Sequence, residues 1–201
     1  MNDMTQMLQY FSDQQAQSPG FYYSVDMDND YKVRNIFWAD AEAREYYTTY
    51  GDCISFDTTF LTNKYNLPFA LLVGVSAYAN TYIFAWVFLG DETTDTFSWA
   101  FGQFLKAMNG KHPKSIITDQ DGAMRKAIGL MFPGTTHRNC WFHLKKTLEE
   151  KMVKVFPKKE GLYEEMRDIL NNSLMEVEFE HLWQKMMTDF ELRHTKHLNE
   201  I

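Results

Sequence analysis

Cysteine is scarce in this chain of 201 residues: Cys53 and Cys140 are the only two. Two cysteines cannot build a disulfide framework, and they fit a reducing compartment. The sequence also lacks a long unbroken apolar run. The longest candidate, Leu67 to Leu89, is interrupted by Pro68, Gly74, Ser76, Asn80 and Thr81, so it does not read as a membrane span. An excess of positive charge is missing as well. The chain holds 27 Asp+Glu against 20 Lys+Arg, a net charge of −7, which excludes a simple basic nucleic-acid-coating protein. The opening MNDMTQMLQYFSDQQ carries acids and no base, unlike a signal or transit peptide. No internal repeat and no low-complexity segment occurs.

What is present is a globular composition. Apolar residues make up 45% and charged residues 23%, enough for one domain, or one domain with an appendage. Aromatic residues reach 16%, which suits a core of large side chains. Charge is uneven along the chain. Residues 1–110 hold 13 acids and 5 bases, whereas His137 to Lys159 holds 7 bases and 2 acids. Such a run reads either as a solvated helix face or as a phosphate-facing patch on an acidic protein.

Periodicity divides the chain into three parts. Residues 1–20 are polar with little period and are expected to be a loose helix or a tail. Residues 21–143 read as an α/β core. Phe21 to Met27 and Val33 to Trp38 are strands joined by Asp28-Asn29-Asp30, and Ala41 to Tyr50 is a short helix after the N-cap candidate Asp40. Cys53 to Thr58, Leu67 to Tyr78 and Tyr82 to Leu89 follow as strands with short connections, which implies an antiparallel meander. Phe97, Phe101, Phe104, Leu105 and Met108 then form a helical stripe, expected to be capped by Thr94 or Asp95 and ended by Gly110 and Pro113. The strand Ser115 to Thr118, a helix from Gly122 to Met131 and a strand over Thr135 to Cys140 alternate after it, as parallel strands with helical crossovers do. Residues 144–201 read as helical, with a capping box of Ser173 and Glu176 before the last helix.

Three constellations carry candidate chemistry. Asp57 ends a strand between Phe56 and Phe60, where a carboxylate must be hydrogen-bonded, paired or bound to a cation, or else cap a turn through Thr58 or Thr59. Asp119 follows the strand SIIT at the end where open sheets place their sites, or it or Asp121 caps the next helix. If these two strands are neighbours, the carboxylates converge and suit Mg²⁺ or Mn²⁺. A pair of such ions serves phosphoryl transfer and needs a third acid. The third constellation is HRNCWFH. Its His137, Cys140 and His143 are spaced for Zn²⁺, or else are strand and helix-start residues. No small-molecule site is evident.

The segments FWADAEAREYY, GDCISFDTTFLTNKYNLPFALLVGV, FLGDETTDTFSWAFGQFLKAMNGKHPKSIITDQD and FPGTTHRNCWFHLKK, in this order, resemble the Mutator-like element (MULE) transposase domain. More narrowly they resemble its plant derivatives, the far-red-impaired-response related proteins. The resemblance runs from about Phe21 to Phe190. It implies an RNase H-like mixed sheet followed by a helical insertion, of which residues 144–201 would be an incomplete part. It implies that Asp57 and Asp119 are the first two acids of a metal-binding D-D-E triad, and that Cys140 and His143 form the family's C-x2-H motif. The family's third acid lies beyond the insertion in a segment this chain lacks. Glu178 and Glu180 are nearby acids that read better as the polar face of a helix. The family's zinc-binding modules on either side have no counterpart here. The resemblance therefore implies a domesticated, non-catalytic regulator of transcription in the nucleus. DNA, longer relatives or a second copy of the chain would be its partners. The alternative is an active metal-dependent transposase or nuclease.

Overall fold

The computed structural model describes residues 3–58 and 67–192. Thr59, Phe60, the Asn63-Lys64-Tyr65 motif and the tail from Arg193 lie outside the described residues. The chain divides into two compact units, residues 1–141 and 142–201.

The first unit is built on a seven-stranded mixed sheet. Its strands are β1 (Tyr22–Met27), β2 (Val33–Ala39), β3 (Cys53–Asp57), β4 (Phe69–Val75), β5 (Thr81–Phe88), β6 (Ser115–Thr118) and β7 (Thr136–Asn139). Their order across the sheet is β1-β2-β5-β4-β3-β6-β7. The meander read from the short connections is present: β3 pairs with β4, and β4 with β5, both antiparallel. The alternation after it yields parallel pairs, β6 on β3 and β7 on β6. The β1–β2 hairpin joins through β2 and β5, with Trp38 opposite Trp86.

Among the described residues, four helices lie wholly inside this unit: α1 (Asp3–Gln17), α2 (Ala41–Tyr50), α3 (Thr94–Ala107) and α4 (Gly122–Met131). The stripe Phe97, Phe101 and Phe104 of α3 is fully buried, together with Tyr47 of α2 and Met124, Ala127 and Ile128 of α4. These side chains meet Phe37, Ile54, Phe56, Leu72, Phe84 and Ile116 of the sheet in one core. Fully burying each such side chain contributes about 1.5–3 kcal/mol. Alternate residues of β2 go to opposite faces, as the two-residue period of a strand requires. Phe37 joins the main core, while Ile36 and Trp38 join a smaller cluster with Phe11 of α1 and Phe21. Residues 3–17 are thus a helix held by Phe11, the helical one of the two expectations for this segment.

Two details depart from the capping read from the sequence. Thr93, rather than Thr94 or Asp95, caps α3, because the Asp91 carboxylate gathers the hydroxyls of both Thr93 and Thr96. Helix α3 ends at Ala107, and the expected Gly110 closes the turn behind it: with a left-handed φ of 75°, its N–H donates to the Leu105 carbonyl at 2.7 Å.

The second unit consists of α5 (Trp141–Met152, the first residue of which belongs to the first unit), a short 3-10 turn at Phe156–Lys158, α6 (Leu162–Asn172) and α7 (Glu176–Asp189). Its core is Leu148, Met152, Leu162, Met166, Ile169, Trp183, Met186, Met187 and Leu192. The capping box of Ser173 and Glu176 does not form: α7 begins at Glu176 with Met175 as its N-cap, and Glu178 accepts the Leu174 N–H instead. Among the described residues, no helix is long and apolar enough to cross a membrane.

Candidate functional site

The strands carrying Asp57 and Asp119 are neighbours. In the parallel β3/β6 pair Cys53 faces Ser115, Ile54 faces Ile116, and Ser55 faces Ile117. The same register carried two residues further sets Asp57 beside Asp119, at the C-terminal ends of both strands. Neighbouring strands lie about 4.7–4.9 Å apart. Both side chains are half-buried. Leu71 of β4 is the antiparallel partner of Asp57. Alternation along β3 puts Asp57 on the face opposite Ile54 and Phe56, so it stays out of the main core.

The ambiguity over Asp119 and Asp121 resolves by division of labour. Asp121 caps α4, accepting the Met124 N–H at 2.7 Å. Asp119 accepts the Asp121 N–H at 3.1 Å through one oxygen, Oδ1. A carboxylate has acceptor capacity beyond one such bond, so Asp119 can still serve a cation.

A small network fixes the end of β6. The Thr118 hydroxyl is buried and donates to the Asp119 carbonyl at 2.8 Å. It also lies 2.8 Å from His137 Nε2. Because the hydroxyl has a single hydrogen, the ring must supply the other, so His137 is protonated at Nε2. Burial, together with the Arg125 guanidinium, holds the His137 ring below the ordinary histidine range, against the pull of Asp119. The ring is therefore neutral at physiological pH.

The other candidate positions lie on other elements. Cys140 is half-buried just beyond β7, its N–H donating to the Thr118 carbonyl. His143 lies in α5, in the second unit. Glu178 and Glu180 are exposed on α7. Among the described residues, no group of three or more His, Cys, Asp or Glu side chains is placed to hold one metal ion. What the sheet end does offer is two hard oxygen donors in register. That set fits Mg²⁺ or Mn²⁺, because Mg²⁺ usually keeps several waters and takes only one or two carboxylates.

Sequence reasoning missed Glu92. Strand β5 runs in the same direction as β3, since both are antiparallel to β4, so Glu92 just beyond it reaches the same end of the sheet. The buried Thr58 hydroxyl donates to Glu92 Oε1 at 2.8 Å. The signal was the acidic pair Asp91-Glu92 directly after an apolar strand. Asp91 is engaged as described, and the Thr96 and Thr93 hydroxyls hold its carboxyl below the usual range, with Arg34 contributing from 3.9 Å.

Residues 53–147 match the family model "MULE transposase domain". The chain is 37% identical over 195 residues to Protein FAR1-RELATED SEQUENCE 5 of Arabidopsis thaliana, covering 97% of this chain and 25% of that protein. It is 32% identical over 196 residues to Protein FAR-RED IMPAIRED RESPONSE 1 of the same plant, covering 98% of this chain and 24% of that one. The chain thus spans about a quarter of the length of these curated relatives. Among solved structures, a chain of the simian T-cell lymphotropic virus intasome in complex with PP2A regulatory subunit B56 gamma overlaps at a TM-score of 0.29 with 20% identity. It covers 68% of this chain and 47% of that one, and a score that low supports no conclusion.

Proposed function

Through residues 53–147 the chain belongs to the MULE transposase domain family, and we propose on that premise that it is a domesticated, non-catalytic regulator of DNA-templated transcription in the nucleus. The observation that carries this reading is the composition of the sheet end. Asp57 and Asp119 are brought into register, and no third ligand completes a metal-binding group among the described residues. Two carboxylates retain a cation-binding locus, while two-metal strand transfer needs more. The RNase H-like arrangement is part of the proposal. Its support is the meander β3-β4-β5 followed by parallel β6 and β7, stacked in turn on the β3 side. The relatives' names support a regulatory role, and longer family members or a second copy of the chain are the partners proposed for it.

The test is incubation of the chain with Mn²⁺ and an end-labelled nicked duplex, wild type beside Asp57→Asn. We expect no cleavage above the Asp57→Asn background, and a fluorescent fusion concentrated in the nucleus. Cleavage that disappears in Asp57→Asn establishes the second reading, an active metal-dependent transposase or nuclease. That reading is favoured by the parallel register of the two acids.

A further inference from the structure

Helix α1 is held on the sheet along one line of its surface. Met4, Met7 and Phe11, spaced i, i+3 and i+7, are its residues in the cluster with Phe21, Tyr23, Ile36 and Trp38. Phe11 is the one buried residue of the helix, its ring centroid 5.3 Å from Trp38 and 5.4 Å from Tyr23. Met4 and Met7 are half-buried, so solvent reaches two of the three anchors. The rest of α1 is mostly polar, and a helix of 15 residues is marginal in water once detached. Beneath it Trp38 stacks on Trp86 and lies 6.2 Å from Phe69, so release of α1 bares one end of a continuous aromatic strip. No other methionine combines access with this duty. Met124, Met152 and Met186 are buried in the two cores. Met27 and Met175 are exposed, so oxidising them buries no polar atom. Met131, half-buried at the end of α4, is one contact among the many that hold the main core. A thioether converted to a sulfoxide becomes polar, and burying its oxygen among apolar side chains without a donor is costly.

We infer that Met4 and Met7 are a modification site for peroxides, and that their oxidation to sulfoxides releases α1 from the sheet as a strap. Each sulfur takes one oxygen atom from hydrogen peroxide and is oxidised by two electrons, and the peroxide is reduced to water. Methionine sulfoxide reductases reverse the step, so the strap can close again. The sheet and its main core stay folded throughout, because Phe37, Phe56, Phe84 and Phe101 pack on the opposite face from Phe11. This inference goes beyond the transposase-derived reading and does not rest on it.

The test is hydrogen exchange of the full chain, read by mass spectrometry before and after hydrogen peroxide, with peptide mapping to locate the added oxygen. The amides to follow are those of residues 7–17, since the first four N–H groups of a helix have no partner within it. In wild type they should lose protection about tenfold or more on oxidation, while amides of β4 and β5 keep theirs. Fluorescence of an added naphthalene sulfonate dye, which binds bared apolar surface, should rise several-fold. The Met4→Leu, Met7→Leu double variant keeps apolar side chains of similar volume and removes both sulfurs. It should fold like wild type and show neither response, although its other methionines remain oxidisable. Phe11→Ala should show the released state without peroxide, and Tyr10→Ala, at the exposed neighbour, should match wild type. The inference is overturned if the double variant responds to peroxide as wild type does, or if oxidised wild type keeps its α1 protection. It is overturned equally if Met4 and Met7 stay unmodified when the exposed Met175 is fully oxidised, or if α1 and the sheet lose protection together. None of these outcomes bears on the Mn²⁺ cleavage result, so failure here is distinguishable from failure of the regulatory reading.

Discussion

His137 Nε2 lies 2.8 Å from the Thr118 hydroxyl, which in turn donates to the carbonyl of Asp119. The end of β6 is thus tied sideways to β7 by side chains as well as by the backbone ladder. Removing the hydroxyl in Thr118→Val leaves the half-buried ring N–H without its acceptor. The expected cost is about 1–3 kcal/mol, and Thr118→Ser should recover most of it. Urea unfolding with an unchanged m-value reads this directly. Equal midpoints for Val and wild type would show that the network holds nothing.

The register of Asp57 and Asp119 predicts a cation site. Calorimetric titration with Mn²⁺ should give a saturable isotherm for wild type that is lost in Asp57→Asn and in Asp119→Asn. Neither substitution touches the main core, so melting temperatures should stay close to wild type. Identical isotherms for all three proteins would mean that the acids do not cooperate.

Asp91 predicts a feature in the acid limb of stability. Its folded carboxyl is held below the ordinary 3.8, first by the Thr96 hydroxyl and then by Thr93 and Arg34, against an opposing effect of burial. The stability it contributes is present above the unfolded value and is lost as pH falls through the folded one. The loss should therefore appear below about pH 4. Thermal melts between about pH 2 and pH 6 should show a shallower decline for Thr96→Val than for wild type. Parallel curves would remove Asp91 from the account.

Phe101 predicts the weight of the main core. It is fully buried, with ring centroids 5.0 Å from Phe56 and 5.1 Å from Phe132. Phe101→Ala should cost about 3–5 kcal/mol. Gly74 probes the same core from the opposite direction. A Cβ there would meet the Phe84 ring at 2.4 Å, so Gly74→Ala should cost about 1–3 kcal/mol by overpacking. Denaturant midpoints check both.

The meander, the stripe of α3 and the alternation from Ser115 onward were legible because each is a local pattern with its own period. The neighbouring placement of Asp57 and Asp119 was a condition in the sequence reading, and the parallel pairing of β3 with β6 meets it. What escaped was set by long-range pairing or by rival donors. The hairpin joins the sheet through Ile36, Phe37 and Trp38 opposite Phe88, Val87 and Trp86, about 50 residues away in sequence, which no local period announces. The α3 cap moved to Thr93 because Asp91 competes for the hydroxyls around it. The Ser173 box failed because the Ser173 N–H closes the end of α6 on the Ile169 carbonyl. Arg125 gave no signal at all, since only folding brings it to Asn139.

Trp38 and Trp86, cross-strand partners at the junction of hairpin and meander, have ring centroids 5.9 Å apart and planes only 5° from parallel. Two indoles held this close and this parallel share their electronic excitation. The chain therefore carries its own optical gauge: the part of the near-ultraviolet circular dichroism that depends on this indole contact exists only while β2 is docked on β5. Its disappearance in a stopped-flow unfolding trace would time the departure of the hairpin separately from the melting of the aromatic core, with no label attached to the protein.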